Sequence, residues 1–257
     1  MYLQNLKTIV NFLSLGAALG FILQPSMALA DIQAYRVDQP IAVDVVEITD
    51  LSNLGLYLKN FKQQPYQNFQ RLQASLAKSC KRIEFAMNAG MYHADLSPVG
   101  LYIENGLEQK ALNRATKGFG NFLIQPNGVL AWNADQAIIA TTQHYAASNF
   151  NAHYATQSGP MLVVDGKINH NFLPKSDSLK IRNGVGIKDG KLYFVISREG
   201  VSFYTFAQYF KSTLGVKDAL YLDGSISSAE IRGLNRYDIN LKALGPIVAY
   251  TRQIRCR

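Results

Sequence analysis

A run of four apolar residues, Ala219-Leu220-Tyr221-Leu222, stops abruptly at Asp223-Gly224 and continues through Ser225, Ser227 and Ser228. Apolar residues closed by a turn signal predict a buried strand that delivers an acid, several hydroxyls and backbone amides into a loop. Gly224 permits a positive φ and close approach of a ligand to the backbone. A carboxylate beside small hydroxyl residues at a strand end suits a sugar or a phosphate. The competing reading is an Asp-Gly turn closed by serine side chains.

Other segments carry complementary groups. Asn88-Ala89-Gly90-Met91-Tyr92-His93 supplies an amide, a close-approach glycine and an imidazole. Asn88 can bond sugar hydroxyls or brace its own turn. His93 can act as acid, base or phosphate donor, or simply be exposed. Asp95 is near in sequence, with nothing to show which way it faces. Arg182-Asn183-Gly184 places a guanidinium before a predicted strand, and its planar fork suits the two oxygens of a phosphodiester. A surface ion pair with a residue such as Asp177 is the alternative. Gln157-Ser158-Gly159-Pro160 is read equally as pocket lining or as a strand-entry turn. Glu230, seven residues beyond Asp223, offers a second carboxylate, the usual equipment of glycoside hydrolysis, or a structural group.

LYLDGSISSAEI resembles the LDGGGS-type signature of the phosphodiester glycosidase family. NAGMYHADLSPVGLYIENG (Asn88 to Gly106), QSGPMLVVDGKIN (Gln157 to Asn169) and RNGVGI (Arg182 to Ile187) resemble further segments of that family, in its order. The resemblance runs from about Phe85 to Ile231. It implies hydrolysis of a glycosidic bond to a phosphodiester, on a glycan, glycolipid or metabolite, with a non-catalytic domain for phosphorylated envelope glycans as the alternative. On this reading Asp223, His93 and Glu230 are candidate catalytic groups. Asn88, Gly90, Arg182, Asn183, Gly224, Ser225, Ser227 and Ser228 are candidates for binding substrate, with Arg182 on the phosphate and Asp223 at the sugar carbon. One departure stands out: where the family often has Gly-Gly-Gly-Ser after the aspartate, this chain has Gly224-Ser225-Ile226-Ser227-Ser228.

The elements that must position these groups are mostly strands. Ile41 to Ile48 and Ile83 to Met87 read as strands, the second running into Asn88. Four Asn-Gly or Asp-Gly pairs lie between apolar stretches: Asn105-Gly106, Asn127-Gly128, Asp165-Gly166 and Asp189-Gly190. Such pairs predict tight hairpins, most clearly across FLIQ-PNG-VLAW. Helices are expected at Tyr66 to Ser79, from the spacing of Phe69, Leu72 and Leu76, and from Ser202 to Gly215. Leu51 to Gln64 is ambiguous, and His144 to Thr156 and Asn169 to Ser178 read as long loops. The expected fold is α+β, largely antiparallel sheet with a few packed helices, in one domain over residues 31–257.

Residues 1–30 read as a signal peptide: Lys7, an apolar run from Ile9 to Leu23, then Ala28-Leu29-Ala30. No later segment looks membrane-spanning, and the expected location is periplasmic or secreted. An oxidising compartment would let Cys80 and Cys256, the two cysteines, form a disulfide; two separate thiols are the alternative. The net charge of +8 becomes +7 without Lys7 and suits an anionic ligand. The basic residues are dispersed and form no nucleic-acid motif, so sugar phosphates or glycans are the expected partners. His93, His144, His153 and His170 lack paired-ligand spacing. No cofactor is expected, with a calcium or magnesium ion on Asp223 and loop carbonyls left open.

Overall fold

In a computed structural model of the chain, residues 30–118, 120–223, 226–239 and 242–256 are described. The expected signal peptide falls almost wholly outside these residues, as do Gly224 and Ser225. Among the described residues no helix is long and apolar enough to cross a membrane.

The strands form three antiparallel sheets. The first runs in the order Ile32–Val37, Val43–Ile48, Lys191–Ser197, Asn183–Lys188, Asp218–Tyr221, Met161–Val164, Lys167–Ile168. The second is Arg236–Tyr237, Ala229–Ile231, Lys81–Asn88, Ile247–Gln253, Leu54–Tyr57. The third is Leu107–Lys110, Tyr102–Glu104, Tyr154–Ser158, Gly128–Trp132, Ala137–Thr141. Phe194, Phe85 and Trp132, one from each sheet, meet in a common core, with the Phe85 and Phe194 rings 5.1 Å apart. The α+β expectation is met.

Helix Phe203–Gln208, continued as a π-helix over Tyr209–Leu214, covers the opposite face of the first sheet. Ser202 caps it by accepting from the Thr205 amide at 3.1 Å, and Gly215 ends it at φ 68°. It lies close because the strand beneath carries Gly184 and Gly186. A Cβ on Gly186 would stand 2.9 Å from Phe210 Cδ1. Helix Phe69–Ala77 is shorter than its predicted span and is capped by Asn68, which accepts from Arg71 N at 2.8 Å.

Three of the four expected hairpins form. Asn105-Gly106, Asp165-Gly166 and Asp189-Gly190 all take two successive positive φ angles and join paired strands, as tight two-residue turns require. Asn127-Gly128 does not. Phe122 lies in a 3-10 turn, Gly128 opens a strand, and Asn127 is buried with its side chain holding Phe122 O at 3.1 Å and Thr142 Oγ1 at 2.7 Å. The stretch His144 to Thr156 is also more regular than expected. It contains most of helix Thr142–Ala147, capped by Thr141, and the start of strand Tyr154–Ser158.

Cys80 and Cys256 come together with Cα atoms 5.2 Å apart, inside the span of a disulfide. They sit at the end of the ladder between Lys81–Asn88 and Ile247–Gln253, where Ile254 N also bonds Cys80 O at 2.7 Å. Peptide mapping without reductant is expected to recover the two cysteine peptides joined. Reduction should cost about 2–4 kcal/mol, since the bridge would close 176 residues of chain. Two freely alkylated thiols in oxidised material would contradict the pairing.

Candidate active site

The first sheet hands over to the second through residues 222–228, between strands Asp218–Tyr221 and Ala229–Ile231. Asn88, last in its strand on the second sheet, and Asn183, first in its strand on the first, stitch that crossing together. Both are fully buried. Asn88 Nδ2 donates to Asp223 Oδ2 at 2.7 Å and to the Ile226 carbonyl. Asn88 Oδ1 accepts from Ser228 N at 2.8 Å and from Asn183 Nδ2 at 3.1 Å. Asn183 Nδ2 also reaches Asn88 O at 2.9 Å, and Ser227 Oγ donates to Asn183 Oδ1 at 3.2 Å. Only one orientation of the Asn88 amide fits, because its reverse would turn N–H groups on Ser228 N–H and an oxygen on the carboxylate.

Asp223 is thus held on a buried amide, only 4% exposed, and lines a cleft of about 840 Å³. Tyr92, His93, Asn113, Phe122 and Lys242 share that lining. The Tyr92 phenol, which donates to Ala243 O at 2.8 Å, is pushed up to about 12, by burial first and then by the Asp223 charge. Among the described lining residues Asp223 is the acid, and Lys242 and His93 line the same cleft. Within the described residues there is no group of three or more His, Cys, Asp or Glu side chains placed to hold a metal ion.

The expected site residues therefore divide. Asp223 and His93 both line the cleft, while Asn88, Asn183, Ser227 and Ser228 build the scaffold beneath it. Gly90 is buried at φ +121°, and a Cβ there would stand 2.4 Å from Thr156 Oγ1. Its close approach is to strand Tyr154–Ser158, away from the cleft lining. In the Gln157-Ser158-Gly159-Pro160 turn, Ser158 Oγ anchors Leu222 O at 2.9 Å from below. Asp95 accepts from Ser97 N and Oγ, which hold its carboxyl below the usual range, and it is absent from the lining.

Two expected groups do not reach the cleft. Glu230 pairs in register with Ala86, and its neighbours Ala229 and Ile231 point into the central core. Alternation along the strand turns Glu230 to the other face, where burial raises its pKa and Arg232 partly offsets the rise. Arg182 is 2% exposed and outside the lining. Its Nε donates to Val201 O at 2.8 Å and its Nη2 to Ser178 O at 3.0 Å, while the guanidinium lies 3.6 Å from the centre of the Phe203 ring. The fork that suits a phosphate here clamps two carbonyls. Arg182→Lys is expected to cost about 2–4 kcal/mol in a denaturant titration, because a lysine can neither bridge both carbonyls nor stack as a plane. A variant as stable as wild type but with raised KM would return the arginine to ligand binding.

Tyr92, Asn113 and Lys242 escaped the sequence reading. Tyr92 lay inside the Asn88 to His93 string and was open to being found. Lys242 lies in a segment with no local pattern.

An antiparallel α+β protein with a carboxylate anchored in a cleft lined by the loops beyond the strands is the class that fold and site define. The phosphodiester glycosidase family profile matches residues 81–246, and the chain belongs to that family. It is 44% identical over 153 residues to the protein YigE of Escherichia coli (strain K12), a match covering 59% of each chain. Its fold is similar to the catalytic domain of zebrafish N-acetylglucosamine-1-phosphodiester alpha-N-acetylglucosaminidase, auto-inhibited by its pro-peptide. That likeness has a TM-score of 0.57 and 15% identity, covering 85% of this chain and 81% of the other. A hypothetical protein from Synechocystis matches with a TM-score of 0.55 at 14% identity, over 86% of this chain and 61% of the other.

Proposed function

We propose that this protein is an exported hydrolase that cleaves the bond between the anomeric carbon of a sugar and a phosphodiester oxygen. The observation that carries the reading is Asp223, locked by Asn88 at the foot of a cleft that also presents Lys242 and His93. In such a reaction positive charge develops on the sugar ring, and a fixed carboxylate stabilises it. The leaving phosphate departs with the electron pair of the broken carbon–oxygen bond and needs little help from an acid. Water supplies the new oxygen on the sugar and gives its proton to His93 or to solvent. Lys242 offsets the phosphate charge that would otherwise be repelled by Asp223. The leader-like first thirty residues support action outside the cytoplasm, on an envelope glycan, a glycolipid or a small metabolite.

Incubation with a nucleotide sugar, followed by assay of free reducing sugar, tests the activity; steady release is expected. Ile226 in the cleft lining, where the family signature has glycine, favours a second reading, a binding domain for phosphorylated glycans. Binding of such glycans with no turnover of any sugar phosphodiester would select it.

A further inference from the structure

Residues 91–99 fold into a short hairpin that walls the Asp223 cleft. Val99 N bonds Met91 O at 2.9 Å, Tyr92 pairs with Pro98, and His93 N bonds Ser97 O at 2.8 Å. The hairpin starts beside the acid, since the Asp223 charge is felt at the Tyr92 phenol, and it reaches the exposed residues His93, Ala94 and Asp95. It brings Met91, Leu96 and Val99 into the cleft lining, where Phe122, Leu123 and Ile226 extend the apolar surface. Ile226 ties that surface to the acid, because the Asn88 amide that holds Asp223 also donates to the Ile226 carbonyl.

Leu96 is the informative residue. It closes the turn at φ 68°, with its N–H on His93 O at 2.8 Å. A left-handed residue ending a three-residue hairpin loop is normally glycine, and a branched side chain there is disfavoured by the backbone. Core packing does not account for the leucine. Leu96 is half-buried and stands outside the hydrophobic clusters of the described residues. What its side chain does reach is the cleft.

Polar side chains on the same walls are engaged within the protein. Tyr92 Oη donates to Ala243 O at 2.8 Å. Asn113 Nδ2 donates to Val99 O at 3.1 Å, and its Oδ1 accepts from Ala115 N at 2.9 Å. Beside Asp223 the described lining then offers His93, Asn121 and Lys242, a set suited to one sugar ring and one phosphate. A second sugar or a nucleoside would leave polar groups against carbon, which is unfavourable.

We infer that the outer walls of the cleft hold a hydrocarbon chain, so that the substrate is a sugar phosphodiester of a lipid or another long-chain alcohol. The inference rests on the hydrolase reading and narrows it. With the anomeric carbon at Asp223, the alcohol on the far side of the phosphate is the part that reaches the walls. Leu96 acts there on affinity and selectivity, away from the reacting carbon. A nucleotide sugar presents the same scissile bond and should turn over with a higher KM.

The full chain is assayed on a sugar 1-(methyl phosphate) and on the matching 1-(octyl phosphate) below its micelle concentration. KM for the octyl substrate should be at least about tenfold the lower. Leu96→Gly and Leu96→Asn, both suited to a positive φ, should raise KM about fivefold more for the octyl than for the methyl substrate. Both should leave thermal stability undiminished, and Leu96→Met should keep the octyl preference. Equal KM for the two substrates in wild type, or Leu96 variants that leave the octyl preference intact, overturns the inference. If wild type turns over no sugar phosphodiester, the hydrolase reading fails by itself. Calorimetric titration with octyl phosphate and methyl phosphate then decides the chain site: tighter octyl binding that Leu96→Gly weakens supports it, and equal binding overturns it.

Discussion

Asp223→Asn is expected to lower sugar release by at least about 10²–10³-fold while leaving the fold and most of the substrate affinity in place. The substitution keeps the shape of the side chain. Its carbonyl oxygen can still accept from Asn88 Nδ2, the 2.7 Å bond that anchors the native carboxylate. What disappears is the negative charge at the point where the sugar becomes cationic. Because that charge matters more in the transition state than in the ground state, kcat should fall and KM should barely move. The Tyr92 phenol gives an independent readout. Part of its rise to about 12 comes from Asp223, so its titration should shift down in the variant. Turnover equal to wild type would remove Asp223 from the chemistry.

Asn88→Ala should be the most destabilising single change at the site, at about 3–5 kcal/mol by chemical denaturation. It strands the buried Ser228 N, takes one of two acceptors from Asn183 Nδ2, which keeps the Asn88 backbone carbonyl, and removes the amide bond that anchors Asp223. Each stranded group costs about 1–3 kcal/mol. Asn88→Asp separates this packing role from the electrostatic one. It sets a second carboxylate against Asp223, and like charges at that distance raise the pKa of one of the pair in the folded state. A folded pKa raised above the unfolded one gives stability that is present at low pH and lost as pH climbs through the raised value. The aspartate variant should therefore approach wild-type stability near about pH 4 and fall well below it at neutral pH. A deficit independent of pH would mean that Asn88 and Asp223 are not in contact.

These expectations trace back unevenly to the sequence. The strand ends that carry Asn88, Asn183 and Asp223 were legible, because apolar runs broken by polar and glycine residues mark where buried strands meet loops. That Asn88 and Asn183 brace Asp223 was not legible, since the bonds join positions 135 and 95 residues apart in the chain. Three hairpins could be read from Asn-Gly and Asp-Gly, whose turns rest on local backbone angles. Asn127 carries the same signal but spends its side chain on Phe122 and Thr142, a tertiary role that no local pattern announces. Arg182 misled for a related reason. A guanidinium that fits two phosphate oxygens also fits two backbone carbonyls, and sequence does not show which pair is in reach. Glu230 illustrates parity: it and Asp223 do not lie on one strand, residues 226–228 standing outside any, so the alternation by which residues of one strand share a face does not connect them.

Cleavage at the anomeric carbon, with the phosphate leaving intact, is the central step of the proposed reaction. Hydrolysis of a nucleotide sugar in ¹⁸O-labelled water, with mass analysis of both products, tests that claim most directly. The label should appear in the free sugar, at its anomeric hydroxyl before exchange, and not in the phosphate product. Label in the phosphate would mean attack at phosphorus, a phosphodiesterase rather than a glycosidase, and would contradict the role assigned to Asp223.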